Sequence, residues 1–105
     1  MKEKLVRDLI PAIIEEQGKV CNWRYIENRK EYLDLLVDKA REEALELSEA
    51  LTREDALQEA GDLYEVFKTM IELQGVSVQE AEAAAFKKAN ARGGFRAGVI
   101  LQMLD

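Results

Sequence analysis

The sequence predicts an all-α fold, an antiparallel bundle of about four helices. Three observations carry this. Apolar residues recur at three- and four-residue spacing along most of the chain. One proline and six glycines in 105 residues leave room for long helices. Start and stop signals frame the periodic stretches: Thr52 and Ser77-x-x-Glu80 at starts, Gly18 and Gly75 at ends.

The first helix is expected over residues 9–17, with Asp8 as N-cap, Pro11 in the first turn and Gly18 as the stop. Ile10, Ile13 and Ile14 share one face. Before it, residues 2–7 are basic with Leu5 and Val6 interleaved. Lys4 and Arg7 there read either as phosphate contacts or as solvated charge. Residues 19–28 are less regular. Val20, Trp23, Tyr25 and Ile26 fit a short extended segment packed over the bundle, with core packing favoured over stacking on a base.

The second helix is expected over residues 29–50. Leu33, Leu36, Val37, Ala40, Ala44, Leu47 and Leu51 form its apolar stripe. At 100° per residue, Glu43 borders that stripe, and Lys39 and Glu46 lie just outside it on the same side. A third helix, over residues 53–74, follows a turn near Leu51-Thr52. Its core face is read as Leu57, Ala60, Leu63, Tyr64, Phe67 and Ile71, with a second apolar edge of Val66, Met70 and Leu73. So wide an apolar surface exceeds the needs of one partner helix and points to a homodimer or homotetramer. Gly61, inside this helix, reads as a close approach or as a tolerated weakness. The fourth helix, residues 78–91, is alanine-rich and suited to tight packing. Arg92-Gly93-Gly94-Phe95 and an apolar tail over residues 99–104 follow it.

The acids are the informative feature. With a helical rise of about 1.5 Å per residue, Glu46 and Glu43 fall roughly 9 and 13 Å before the turn, and Glu59 and Asp62 roughly 10 and 15 Å after it. Two i, i+3 acid pairs thus stand at matched height on facing helices. Carboxylates at one level repel unless something positive lies between them. A hard divalent cation, Mg²⁺ first and Mn²⁺ as a substitute, answers that need. By spacing alone, each pair fits a solvated helix face better than a metal site; the joint arrangement of the two pairs brings the readings level.

Composition narrows the function classes. A net charge of −6 disfavours nucleic-acid polymers and anionic membranes. No histidine is present, which removes Ser/His and Cys/His nucleophiles and disfavours zinc. The single cysteine, Cys21, permits no internal disulfide and suits the reducing cytoplasm. The first seven residues are charged, with no apolar run of signal-peptide length, and no stretch approaches a membrane span. The length suits one domain over residues 1–105.

Glu42-Glu43-x-x-Glu46, a twelve-residue gap, then Glu59-x-x-Asp62 resembles the signature of the all-α nucleoside triphosphate pyrophosphohydrolases. This MazG-like superfamily also includes phosphoribosyl-ATP pyrophosphohydrolase and the all-α dUTPases. Lys4-Leu5-Val6-Arg7-Asp8-Leu9-Ile10-Pro11 resembles the N-terminal segment of a small single-domain subgroup, and Arg92-Gly93-Gly94-Phe95 its C-terminal motif. Residues 19–28 match no motif of the family. The resemblance implies a bundle completed by a second subunit, and Mg²⁺-dependent cleavage of a nucleoside triphosphate between its α and β phosphates. It implies Glu43, Glu46, Glu59 and Asp62 as metal ligands and Glu42 as the water-activating base or a support for the ligands. Lys39, Lys88, Arg92 and Arg7 are then the cations for the remaining phosphate charge. Phosphoribosyl-ATP hydrolysis and a non-catalytic helical oligomerisation module are the competing readings.

Overall fold

A computed structural model describes residues 3–103. Lys2, counted with the basic N-terminal segment, and Leu104, counted with the apolar tail, lie outside the described residues. Among the described residues there are four helices and no strand: α1 (Ile10–Glu16), α2 (Arg29–Ser48), α3 (Arg53–Leu73) and α4 (Val78–Arg92). No helix among them is long and apolar enough to cross a membrane. The chain divides into two compact units, Met1–Met70 and Ile71–Asp105.

In the first unit, α1 starts without the expected Asp8 cap. Leu9 occupies the N-cap position and no side chain bonds there, because Asp8 lies within the preceding turn. Pro11 sits in the first helical turn, where its missing N–H costs little. Gly18, at φ 77°, closes the helix. Its N–H donates to the Glu15 carbonyl and the N–H of Lys19 to that of Ile14, a left-handed ending that glycine adopts without strain.

Residues 19–28 form no strand. Val20 and Tyr25 are exposed, and Trp23 meets Tyr25 edge to face at 5.1 Å. Of the apolar side chains expected to pack here only Ile26 is half-buried, and ion pairs supply the connection's other ties. Arg24 donates to both oxygens of Glu3 at 3.0 and 3.1 Å, to both oxygens of Glu31 at 2.8 and 3.1 Å, and to the Tyr25 carbonyl. The guanidinium, helped by the Glu27 N–H, holds the Glu31 carboxyl down to about 2. The clamp ties the N-terminal segment to the start of α2.

Asn28, extended at φ −154°, caps α2 by accepting the Glu31 N–H at 2.8 Å. The helix stops at Ser48, two residues before the expected end. There the Ser48 hydroxyl donates to the Leu45 carbonyl, and the Ala50 N–H turns back to Leu47. Ala44 and Leu51, expected in the stripe, are exposed. Thr52 caps α3 as predicted, accepting the Asp55 N–H at 3.0 Å.

The orientation of α3 departs from expectation. The side chain it buries is Val66, from the presumed second edge, at 9% exposure. Glu59, Asp62 and Met70 on the same face are half-buried. Of the presumed core face, Leu57, Ala60, Tyr64 and Phe67 are exposed, while Leu63 and Ile71 are half-buried. The centre of the first unit is therefore Leu36 (2% exposed), Val66 and the buried carboxylate of Glu43. Gly61 lies on the outward side, where an added Cβ would meet nothing within 4 Å, so no close approach within the chain explains it.

In the second unit, Ser77 and Glu80 form the predicted capping box, with bonds of 3.1 and 2.9 Å. Gly75 (φ 76°) closes α3 as Gly18 closes α1. The alanines of α4 are not tightly packed as expected. Only Ala81 among them is half-buried. Val99, Ile100, Leu101 and Met103 of the tail are exposed instead of folding back.

The Asn28 cap yields a direct expectation. Asn28→Ala lowers unfolding free energy by about 1 kcal/mol and Asn28→Asp retains it, read as the midpoint of urea denaturation.

Candidate metal centre

The α2–α3 hairpin brings Glu43 and Glu46 against Glu59. Each offers a carboxylate oxygen, and the three oxygens lie within 4.8 Å of one another. The i, i+3 spacing puts Glu43 and Glu46 on one side of α2, and the reversal over residues 49–52 returns Glu59 to the same height. The Glu43 side chain is 6% exposed. Its Oε2 and the Oε2 of Glu59 are buried and receive no hydrogen bond. An ionised carboxylate in that position costs several kcal/mol unless a cation or proton reaches it.

The nearby cations do not fill that need. Lys39 stands 3.5 Å from the outer oxygen of Glu43 and 3.5 Å from Glu42. Lys4 donates to Glu42 at 3.2 Å. These two lysines hold the Glu42 carboxyl below its ordinary range, Lys4 foremost. Arg7 donates to Asp62 at 2.7 Å, which raises the guanidinium pKa further. Positive charge thus rings the triad from outside and leaves its inner oxygens bare. A hydrogen bond with Glu46, loss of solvent and the neighbouring Glu43 push the Glu59 carboxyl up to about 7.

Three of the four acids expected as ligands therefore converge. Asp62 stands apart from the three and is engaged by Arg7. Of the expected phosphate cations, Arg7 and Lys39 flank the acids. Lys88 and Arg92 lie on α4 in the second unit, both exposed. Two groups escaped sequence reasoning. Tyr32 gives no spacing signal. Glu65 does, since it continues the Glu59-x-x-Asp62 series by three more residues along α3. With Arg7, Lys39, Glu43 and Asp62, both line one groove of about 700 Å³.

The donor set fits a hard divalent ion. Every donor is a carboxylate oxygen, and no imidazole or thiolate is at hand to favour a softer metal. No family model, curated protein or solved structure matches the chain.

Glu59 makes metal-free stability depend on pH. Between its ordinary value of 4.5 and about 7, the folded chain holds a proton that the unfolded chain has lost. Stability therefore falls as pH rises through this window and levels off above it. The carboxylates held low by Arg24 and Lys4 titrate below the window. Thermal melts in chelator at pH 5, 6, 7 and 8 should show the decline, and Glu59→Gln should flatten it.

Proposed function

We propose that the chain is a Mg²⁺-dependent nucleoside triphosphate pyrophosphohydrolase acting in the cytoplasm. It adds water across the anhydride between the α and β phosphates and releases a nucleoside monophosphate and pyrophosphate. The observation that carries this reading is the pair of buried, unbonded oxygens on Glu43 and Glu59, gathered with Glu46 within 4.8 Å. The acid and flanking motifs that resemble the MazG-like superfamily supply the reaction class.

Glu43, Glu46 and Glu59 are the residues that would hold the ion, joined by Asp62 when Arg7 exchanges it for substrate phosphate. The ion supplies charge neutralisation for the phosphates and acidifies a water. Glu42 is the carboxylate that would accept the proton of the attacking water; Lys4 and Lys39, which weaken it as a base while they face it, would have to turn toward phosphate for it to act. Arg7 and Lys39 already face carboxylates and are placed to turn to phosphate oxygens.

The active form is a homo-oligomer in this reading. The outward face of α3 exposes Leu57, Tyr64 and Phe67, an apolar surface that a second copy would cover. Sedimentation should give at least twice the chain mass, and Phe67→Glu should shift it toward monomer.

The deciding experiment is pyrophosphate release from a panel of ribo- and deoxynucleoside triphosphates with Mg²⁺, with Mn²⁺ and in chelator. Release should require the metal. Glu59→Gln should lower it by more than the roughly 10–100-fold typical of residues that only support a ligand. Mg²⁺ should raise the Tm of the parent and not of the variant. Orthophosphate as the product would place the cut at the wrong bond. A silent panel with no Mg²⁺ effect on Tm would return the acids to a solvated face.

A further inference from the structure

We propose that the groove beside the acid triad takes the base and sugar of the substrate, and that it favours bases bearing an exocyclic amino group. The inference rests on reading the triad as the triphosphate end of the site. The groove measures about 700 Å³, within the usual range of small-molecule sites. Glu43 belongs both to its wall and to the triad, so the two spaces are continuous. A triphosphate held at the triad therefore has its nucleoside beside the groove.

The walls decide what part of a ligand enters. Leu36 and Val66, the two buried apolar side chains among the described residues, line it with half-buried Tyr32. Such a surface suits a flat ring, and Tyr32 offers an aromatic face. Phosphate belongs at the triad end of the same space. Of the two cationic side chains in the groove, Lys39 faces Glu43 of the triad and Arg7 faces Asp62.

Glu65 supplies the selectivity. It lines the groove on the α3 face next to Asp62, and its ion pair, Lys68, is at a loose 3.7 Å. An ionised carboxylate only accepts hydrogen bonds. A base edge carrying an amino group, as in cytosine, adenine or guanine, donates to it. Uracil, thymine and hypoxanthine place a carbonyl oxygen there instead, and two acceptors repel. A hydrogen bond to a charged group corresponds to a preference of about ten- to hundredfold.

Two measurements test this separately from the reaction. The first is the kcat/KM ratio for dCTP over dUTP and for ATP over ITP, in the parent and in Glu65→Gln, whose amide both donates and accepts. The parent should prefer the amino-bearing partner of each pair about ten- to hundredfold, and the variant should bring both ratios near one. The second is the shift of backbone amide resonances on adding cytidine or uridine in chelator, where no hydrolysis occurs. Cytidine should move Tyr32, Leu36 and Thr69 more than uridine does. Pyrophosphate release with ratios near one in the parent, or cytidine shifts confined to Trp23 and Tyr25, would overturn the groove assignment and leave the pyrophosphohydrolase reading intact. Cytidine shifts at the groove without hydrolysis of any nucleotide would uphold the groove and overturn the reaction. Neither shifts nor hydrolysis would overturn both.

Discussion

Three carboxylates forced to one point between two helices are the constraint on which the rest of this structure turns. Glu43, Glu46 and Glu59 cannot all be ionised within 4.8 Å of one another at an acceptable cost unless a proton or cation intervenes. Two of them have turned an oxygen away from solvent without a donor to meet it. The nearest lysine reaches only the outer side of Glu43. The chain spends hydrophobic packing elsewhere, around Leu36 and Val66, to hold this unfavourable group in place. An arrangement that costs stability is a reason to look for the ligand that relieves it.

The N-terminal segment is the second half of the same electrostatic design. Residues before α1 have no regular structure, yet they deliver Lys4 to Glu42 and Arg7 to Asp62. Their position follows from Arg24, which grips Glu3 at one end and Glu31 at the head of α2 at the other. Exposed pairs of this kind add little to global stability. Their effect here is positional, because the forked guanidinium fixes direction as well as distance. A connection with no motif of its own thereby sets which acids carry a counter-ion and which do not.

The face that α3 turns inward follows from this burial. Its apolar residues fill two edges, and hydrophobicity alone assigns the richer edge to the core. In the fold the poorer edge goes inward, carrying Glu59 and Asp62 with Val66, and the Leu57–Tyr64–Phe67 edge faces out. An amphipathic pattern reports which faces differ. It does not say which apolar face meets its own chain and which is left for another surface.

The features legible in the chain alone were local ones. The four helices, the Thr52 cap, the Ser77–Glu80 box and the closing glycines Gly18 and Gly75 were legible because each depends on residues within one or two turns. The matched height of Glu43, Glu46 and Glu59 was legible for the same reason, since helical rise and one turn position fix it. The Arg7–Asp62 and Lys4–Glu42 pairs join residues 55 and 38 positions apart, and no spacing rule reaches that far. The groove, the outward face of α3 and the withdrawal of Asp62 from the triad were likewise decided by tertiary structure. Each depends on how helix faces rotate against one another, and that rotation is set by the sum of packing and charge over the fold.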